Sequence, residues 1–106
     1  MPYLTSDQRV TCERLIEADD YVALDAYLSD LRNCGALDDP RNAGTFGVML
    51  LTALQQDCPN CVMVLAPLFR SISTREQFDR HTSAMLAFCG GATRTRALQT
   101  FERSLA

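Results

Sequence analysis

Apolar residues recur every three or four positions through almost the whole chain, and nowhere do they alternate for long enough to make a strand. That spacing is the signature of helices with one buried face. It predicts an all-α fold. Thr5 and Gln8 have the capping-box spacing, so a first helix should begin near Ser6. Val10, Leu15 and Ile16, with Cys12 beside them, supply its apolar face, and Ala18-Asp19-Asp20 is a stop followed by a new N-cap. A second helix carries Tyr21, Leu24, Leu28 and Leu31 with Tyr27 alongside, and leaves Asp25, Ser29 and Asp30 toward water. Asn33-Cys34-Gly35 ends it, with Gly35 suited to the left-handed position after a helix.

The polar stretch from Ala36 to Gly44 reads as a loop. A third helix is expected over about Thr45 to Gln56, apolar on most of its circumference and therefore central. Asp57-Cys58-Pro59 opens a fourth, with Pro59 in the favoured first position. Pro67 should kink or end it, because proline lacks the amide that the helix needs. Arg70 to Arg80 reads as a second polar connection with at most a short helical turn. A fifth helix is expected over about His81 to Cys89, with Met85, Leu86 and Phe88, and a sixth over about Ala92 to Leu105 after a Gly90-Gly91 turn.

With 106 residues, the chain is expected to form one domain, residues 1–106. Hydrophobic residues make up 47% and charged residues 22%, which excludes general disorder. The net charge of −3 argues against nucleic acid as the main ligand, since such binding rests on a basic surface. The charge is uneven: residues 1–57 carry net −6 and residues 58–106 net +3, a dipole that can steer a charged partner or simply be solvated surface. All ten cationic residues are arginine. Base composition of the genome accounts for that, and avoidance of lysine modification is the alternative. The N-terminus has neither a basic start nor an apolar core, and no stretch approaches the ~20 residues of a membrane span. A cytoplasmic location is expected, or the host cytoplasm for an injected effector or a viral protein.

The helices fall into three pairs, with short turns inside each pair and long loops between pairs. Ala18-Asp19, Gln56-Asp57 and Gly90-Gly91 are separated by 38 and 34 residues, and Gly44 and Arg80 by 36. This is the rhythm of a helical-hairpin solenoid. The middle unit, from Gly35-Ala36-Leu37-Asp38 through Thr45–Ala53 to Val62–Leu68, resembles an ankyrin repeat. Asp79 to Ala87 resembles the next, with Thr82 at the threonine of the family's Thr-Pro-Leu-His motif and Gly91 at the glycine between its helices. No such tetrapeptide is present: Phe46-Gly47-Val48-Met49 and Thr82-Ser83-Ala84-Met85 stand in its place. The chain is thus similar to about three divergent ankyrin repeats. A compact six-helix bundle, such as a death-domain-like fold, is the alternative.

The resemblance implies a non-enzymatic protein-protein interaction module that binds and regulates or occludes a partner, as a bacterial or viral regulator, effector or immunity-type protein. It places the binding surface on the loops and inner-helix face, at Arg41, Asn42, Phe46, Met49, Gln77, Phe78, His81 and Met85. Phe46, Phe78 and the two methionines would be desolvated anchors, and Arg41 a polar clamp. Leu105, on an apolar terminal helix, invites a homodimer through that helix. The arginines at 94, 96 and 103 make at most a short basic strip.

Cys58-Pro59-Asn60-Cys61 is the sharpest chemical feature. A thiol at a helix N-terminus can have its thiolate favoured by the helix dipole, so a thiol redox protein is a second reading. A structural helical homodimer is a third. The usual βαβ setting of a redox pair is missing, and the other cysteines (Cys12, Cys34 and Cys89) and His81 lack metal-ligand spacing. His81 has no triad partner in view, and the pairs Asp19-Asp20 and Asp38-Asp39 lack the spacing of a calcium loop. No metal, cofactor or catalytic residue is therefore expected.

Overall fold

The computed structural model describes residues 4–89 and 96–105, including all their side chains except those of Phe88 and Cys89. Six helices make it up: α1 (Ser6–Glu17), α2 (Tyr21–Asn33), α3 (Asn42–Gln55), α4 (Pro59–Ile72), α5 (Arg75–Cys89) and α6 (Arg96–Leu105). No strand occurs among the described residues. The Gly90-Gly91 turn and Arg94 lie outside them.

The turns follow one device. Helices α1, α2 and α3 each end with a left-handed residue: Asp19 at φ 51°, Gly35 at 79° and Asp57 at 54°. The next amide then reaches back five residues. Asp20 N–H donates to Leu15 O, Ala36 N–H to Leu31 O and Cys58 N–H to Ala53 O, each at 2.9 Å. This is the Schellman arrangement, which satisfies carbonyls that the helix end would otherwise orphan. Glycine is the usual occupant, and aspartate is one of the few other residues that tolerates the position. Asp20 then caps α2 by accepting from Ala23 N–H, and Pro59 sits in the first turn of α4. The Thr5–Gln8 capping box forms as the spacing predicts.

The loop boundaries differ from expectation. Helix α3 starts at Asn42, because the Asp39 carboxylate accepts from Arg41 N–H and the Asp39 carbonyl from Asn42 N–H, winding the chain three residues early. Between α4 and α5 only Ser73 and Thr74 intervene, in place of the expected polar connection. Thr74 and Gln77 form a second capping box, with Thr74 N–H donating to Gln77 Oε1 at 2.9 Å and Gln77 N–H to Thr74 Oγ1 at 3.1 Å. It starts α5 six residues before the expected position. Pro67 does not end α4: it lies on the exposed side with Met63, four residues before it, so the carbonyl that loses its amide partner is on the solvent side.

Side-chain packing joins α1 to α2 and α3 to α4 as hairpins. It also joins α1 to α3 and α3 to α5, and α2 to α4 and α4 to α6. The core is one cluster around Phe46, Leu50, Leu65, Phe69 and Phe101, all fully buried. As its composition predicts, α3 is central, touching α1, α4, α5 and α6. Val10, expected in the core, is half exposed on α1.

Candidate functional site

The eight residues singled out from the sequence do not form a surface. Phe46, Met49 and Met85 are core residues, each 3% exposed or less: the apolar circumference of α3 turns Phe46 and Met49 toward its neighbours and leaves Val48 outside, and Met85 faces the core from α5. Asn42 is fully buried and structural: its Nδ2 donates to Ala36 O at 3.1 Å and its Oδ1 accepts from Leu4 N–H at 3.2 Å, tying the N-terminal segment to the α2–α3 connection. Gln77 is spent on the Thr74 box. Phe78 is half-buried against Phe69, ring centroids 5.6 Å apart, with the Arg70 guanidinium 5.5 Å from its ring. His81 was expected at a helix start but lies inside α5. Its ring meets Phe69 edge-on at 5.4 Å and its Nδ1 pairs with Gln77 O at 3.1 Å.

Arg41 alone of the eight is exposed. Its fork grips Asp39, Nε to Oδ1 at 3.1 Å and an Nη to Oδ2 at 2.7 Å, and these bonds hold the Asp39 carboxyl at a pKa of about 2. Arg41 is thus bound to its own turn. It lines a shallow groove of about 310 Å³ between α1 and α3, with Arg9, Glu13 and Val48.

The cysteine pair is sealed in. Cys61 is fully buried and Cys58 nearly so. Cys58 Sγ donates to Ile16 O at 3.4 Å. Burial first, then a hydrogen bond with the Asp19 carboxylate and the nearby charges of Asp19, Cys58 and Asp20, push the Cys61 thiol up to about 12. Burial together with Asp19 and Asp57 raises Cys58 as well. Helix-terminus activation is thus outweighed by desolvation and by carboxylates in the adjoining turns. Cys12 is pushed up to about 11 by burial and Glu13. Among the described residues no group of histidine, cysteine or carboxylate side chains is placed to hold a metal ion.

The terminal helix also turns inward. Ala97, Leu98 and Phe101 are buried and Leu105 is half-buried against the core, so the outer side of α6 carries Arg96, Gln99 and Arg103. The N-terminus of α6 is capped across the fold by Asp57, whose Oδ1 accepts from Ala97 N–H at 2.8 Å.

An open, largely apolar groove lies between α2 and α4. These helices run parallel, and their outer faces enclose a groove of about 720 Å³ that reaches from Tyr21 and Asn60 at one end to Arg32 and Ser71 at the other. Five large apolar side chains are exposed among the described residues, and three of them line this groove: Tyr21 at 46%, Met63 at 63% and Val22 at 64%. Pro67 adds to its floor, and Asp25, Ser29 and Arg32 form a polar rim. Arg32 donates to Ser71 Oγ at 2.8 Å, bridging the two helices. The signal in the sequence was Val22 and Met63, two apolar residues that lie off the buried stripes of their own helices.

No helix among the described residues is long and apolar enough to cross a membrane. Compared with known proteins, the chain matches no family model, no curated protein and no solved structure.

Proposed function

We propose that this chain is a non-enzymatic protein-interaction module, a stack of three helical hairpins of divergent ankyrin type, that binds a partner protein in the α2/α4 groove. The observation that carries this reading is the gathering of Tyr21, Val22 and Met63, all substantially exposed, along one groove with a polar rim. Apolar side chains left together at a surface mark a place where another macromolecule covers them. The groove is open and its polar groups stand at the edge, which suits side chains of a protein better than an enclosed small molecule. The stacking is supported by the neighbour pattern, α1–α3–α5 in one row and α2–α4–α6 in the other, with α1/α2 and α3/α4 closed as hairpins and α5 and α6 each packed on the middle pair.

The groups with most chemical character serve the fold instead: the cysteines are buried, His81 packs on Phe69, and Asp57 caps α6. Such a module acts by covering or tethering what it binds. That fits a regulator, effector or immunity-type protein of the cytoplasm, or of the host cytoplasm if delivered there. The test is affinity capture from the native host by wild type and by Val22→Glu/Met63→Glu. Both substitutions are at exposed positions, so helicity by circular dichroism should be retained. A saturable partner held by wild type and lost by the variant is expected. Equal capture by both would overturn the assignment of this groove.

A further inference from the structure

The rim charges say what the groove accepts. Asp25 and Arg32 stand on the same exposed side of α2, seven residues and therefore two turns apart, about 10 Å along the axis. Neither forms an ion pair among the described residues. A helix laid antiparallel along α2 with a base at one position and an acid seven residues away would satisfy both. Helix α2 itself has that pattern. Turned end for end about a two-fold axis level with Leu28 and Ser29, its Arg32 comes opposite Asp25 and its Asp25 opposite Arg32. The parallel alternative sets like charges against each other. Side chains at the axis must allow close approach, and the exposed residues at that level are the small Ser29 on α2 and Pro67 on α4.

We propose that the occupant of the groove is a second copy of this chain, docked face to face through α2 and α4 with two symmetry-related Asp25–Arg32 pairs. The interface is isologous, one patch serving both subunits, as closed dimers require. This proposal rests on reading the α2/α4 groove as a protein-binding surface, and it names the partner. About the level of Leu28 and Ser29, residues 24–33 of α2 oppose their own copies, so the contact is two helices wide and about ten residues long, with Tyr21 and Val22 at its margin beside the end of the partner helix. That is below the roughly 800 Å² per partner of a standard interface. The dimer is accordingly a weak one.

The experiment is sedimentation velocity of the full chain, reduced, in low salt from 10 to 500 µM, on wild type and three variants at these exposed positions. Wild type should show reversible dimerisation. Asp25→Arg alone and Arg32→Asp alone should each weaken it at least fivefold, because each sets two like-charge contacts across the axis. The double exchange Asp25→Arg/Arg32→Asp should return to within twofold of wild type. An equimolar mixture of the two single variants should associate more tightly than either alone, since one then carries only bases and the other only acids at these positions. A wild type that stays monomeric to 500 µM would overturn the proposal, as would dimerisation indifferent to the single reversals or no recovery in the double exchange. Loss of a captured host protein by Val22→Glu/Met63→Glu from a monomeric chain would sink the self-docking and leave the binding groove standing. Neither dimerisation nor capture would remove both.

Discussion

Asp19 and Asp57 close successive hairpins in the same left-handed conformation, yet they should answer the same substitution with opposite signs. Replacing either by glycine relieves a left-handed backbone, worth about 1 kcal/mol, and adds unfolded-state freedom that costs about 0.4–1 kcal/mol. These backbone effects nearly cancel and are common to both sites, so the side chains decide. Asp57→Gly removes the acceptor that caps α6 at Ala97 and leaves a buried residue's amide unpaired. Loss of a cap costs about 0.5–2 kcal/mol, and loss of a charge favourable to the helix dipole about 0.3–1 kcal/mol more. Asp57→Gly should therefore destabilise by about 1–3 kcal/mol. At Asp19 one carboxylate oxygen, Oδ1, is buried without a hydrogen-bond partner, a burden of about 1–3 kcal/mol that is offset in part by the contact with the Cys61 thiol. Asp19→Gly should leave stability unchanged or raise it by about 1 kcal/mol. For a domain of this size, 1 kcal/mol moves Tm by about 4–8 °C, so the two variants should melt roughly 4 °C or more apart. Thermal unfolding followed at 222 nm reads this directly, with Asp57→Asn, which keeps an acceptor oxygen, near wild type. Equal melting of the two glycine variants, or a lower Tm for Asp19→Gly, would refute the assignment of different jobs to the two aspartates.

Three further outcomes follow from the packing. A Cβ on Gly47 would lie 3.0 Å from His81 Cδ2, so Gly47→Ala should destabilise wild type by about 1–3 kcal/mol but stabilise a His81→Ala background by up to about 1 kcal/mol through helix propensity, as urea titrations of the two pairs would show. Iodoacetamide at pH 8 with peptide mapping should label exposed Cys34 roughly 100-fold or more faster than buried Cys61, and a comparable rate at Cys61 would reinstate thiol chemistry. Asp39, lowered to about 2 by Arg41, should contribute stability that is complete above about pH 4 and lost as pH falls through 2, so urea midpoints should drop over that window in wild type and much less in Arg41→Ala.

Much of the fold was legible in local chemistry. Thr5 with Gln8, Asp20, Gly35 and Pro59 each mark a helix end by a mechanism that needs nothing beyond neighbouring residues, and all four act as expected. Thr74 and Gln77 carry the same capping signature but sit in a run of charged residues that reads as loop, so α5 appeared shorter than it is. Proline inside α4 is tolerated because the missing bond falls on the solvent side, and the apolar pattern gives no rule for which side that is. The candidate site was less accessible for a related reason. Helix α3 is apolar nearly all round, so its sequence does not separate Phe46 and Met49, which are buried, from Val48, which is exposed. Only the placing of α2 beside α4 brings Val22 and Met63 into one groove.

A photocrosslinking residue at position 63 in the native host, compared with the same residue at exposed Ser83 on α5, tests the binding surface most directly. The account requires a discrete adduct from position 63, of a second copy or of another protein, and none from position 83. No adduct at 63, or the same adducts from both positions, would contradict it.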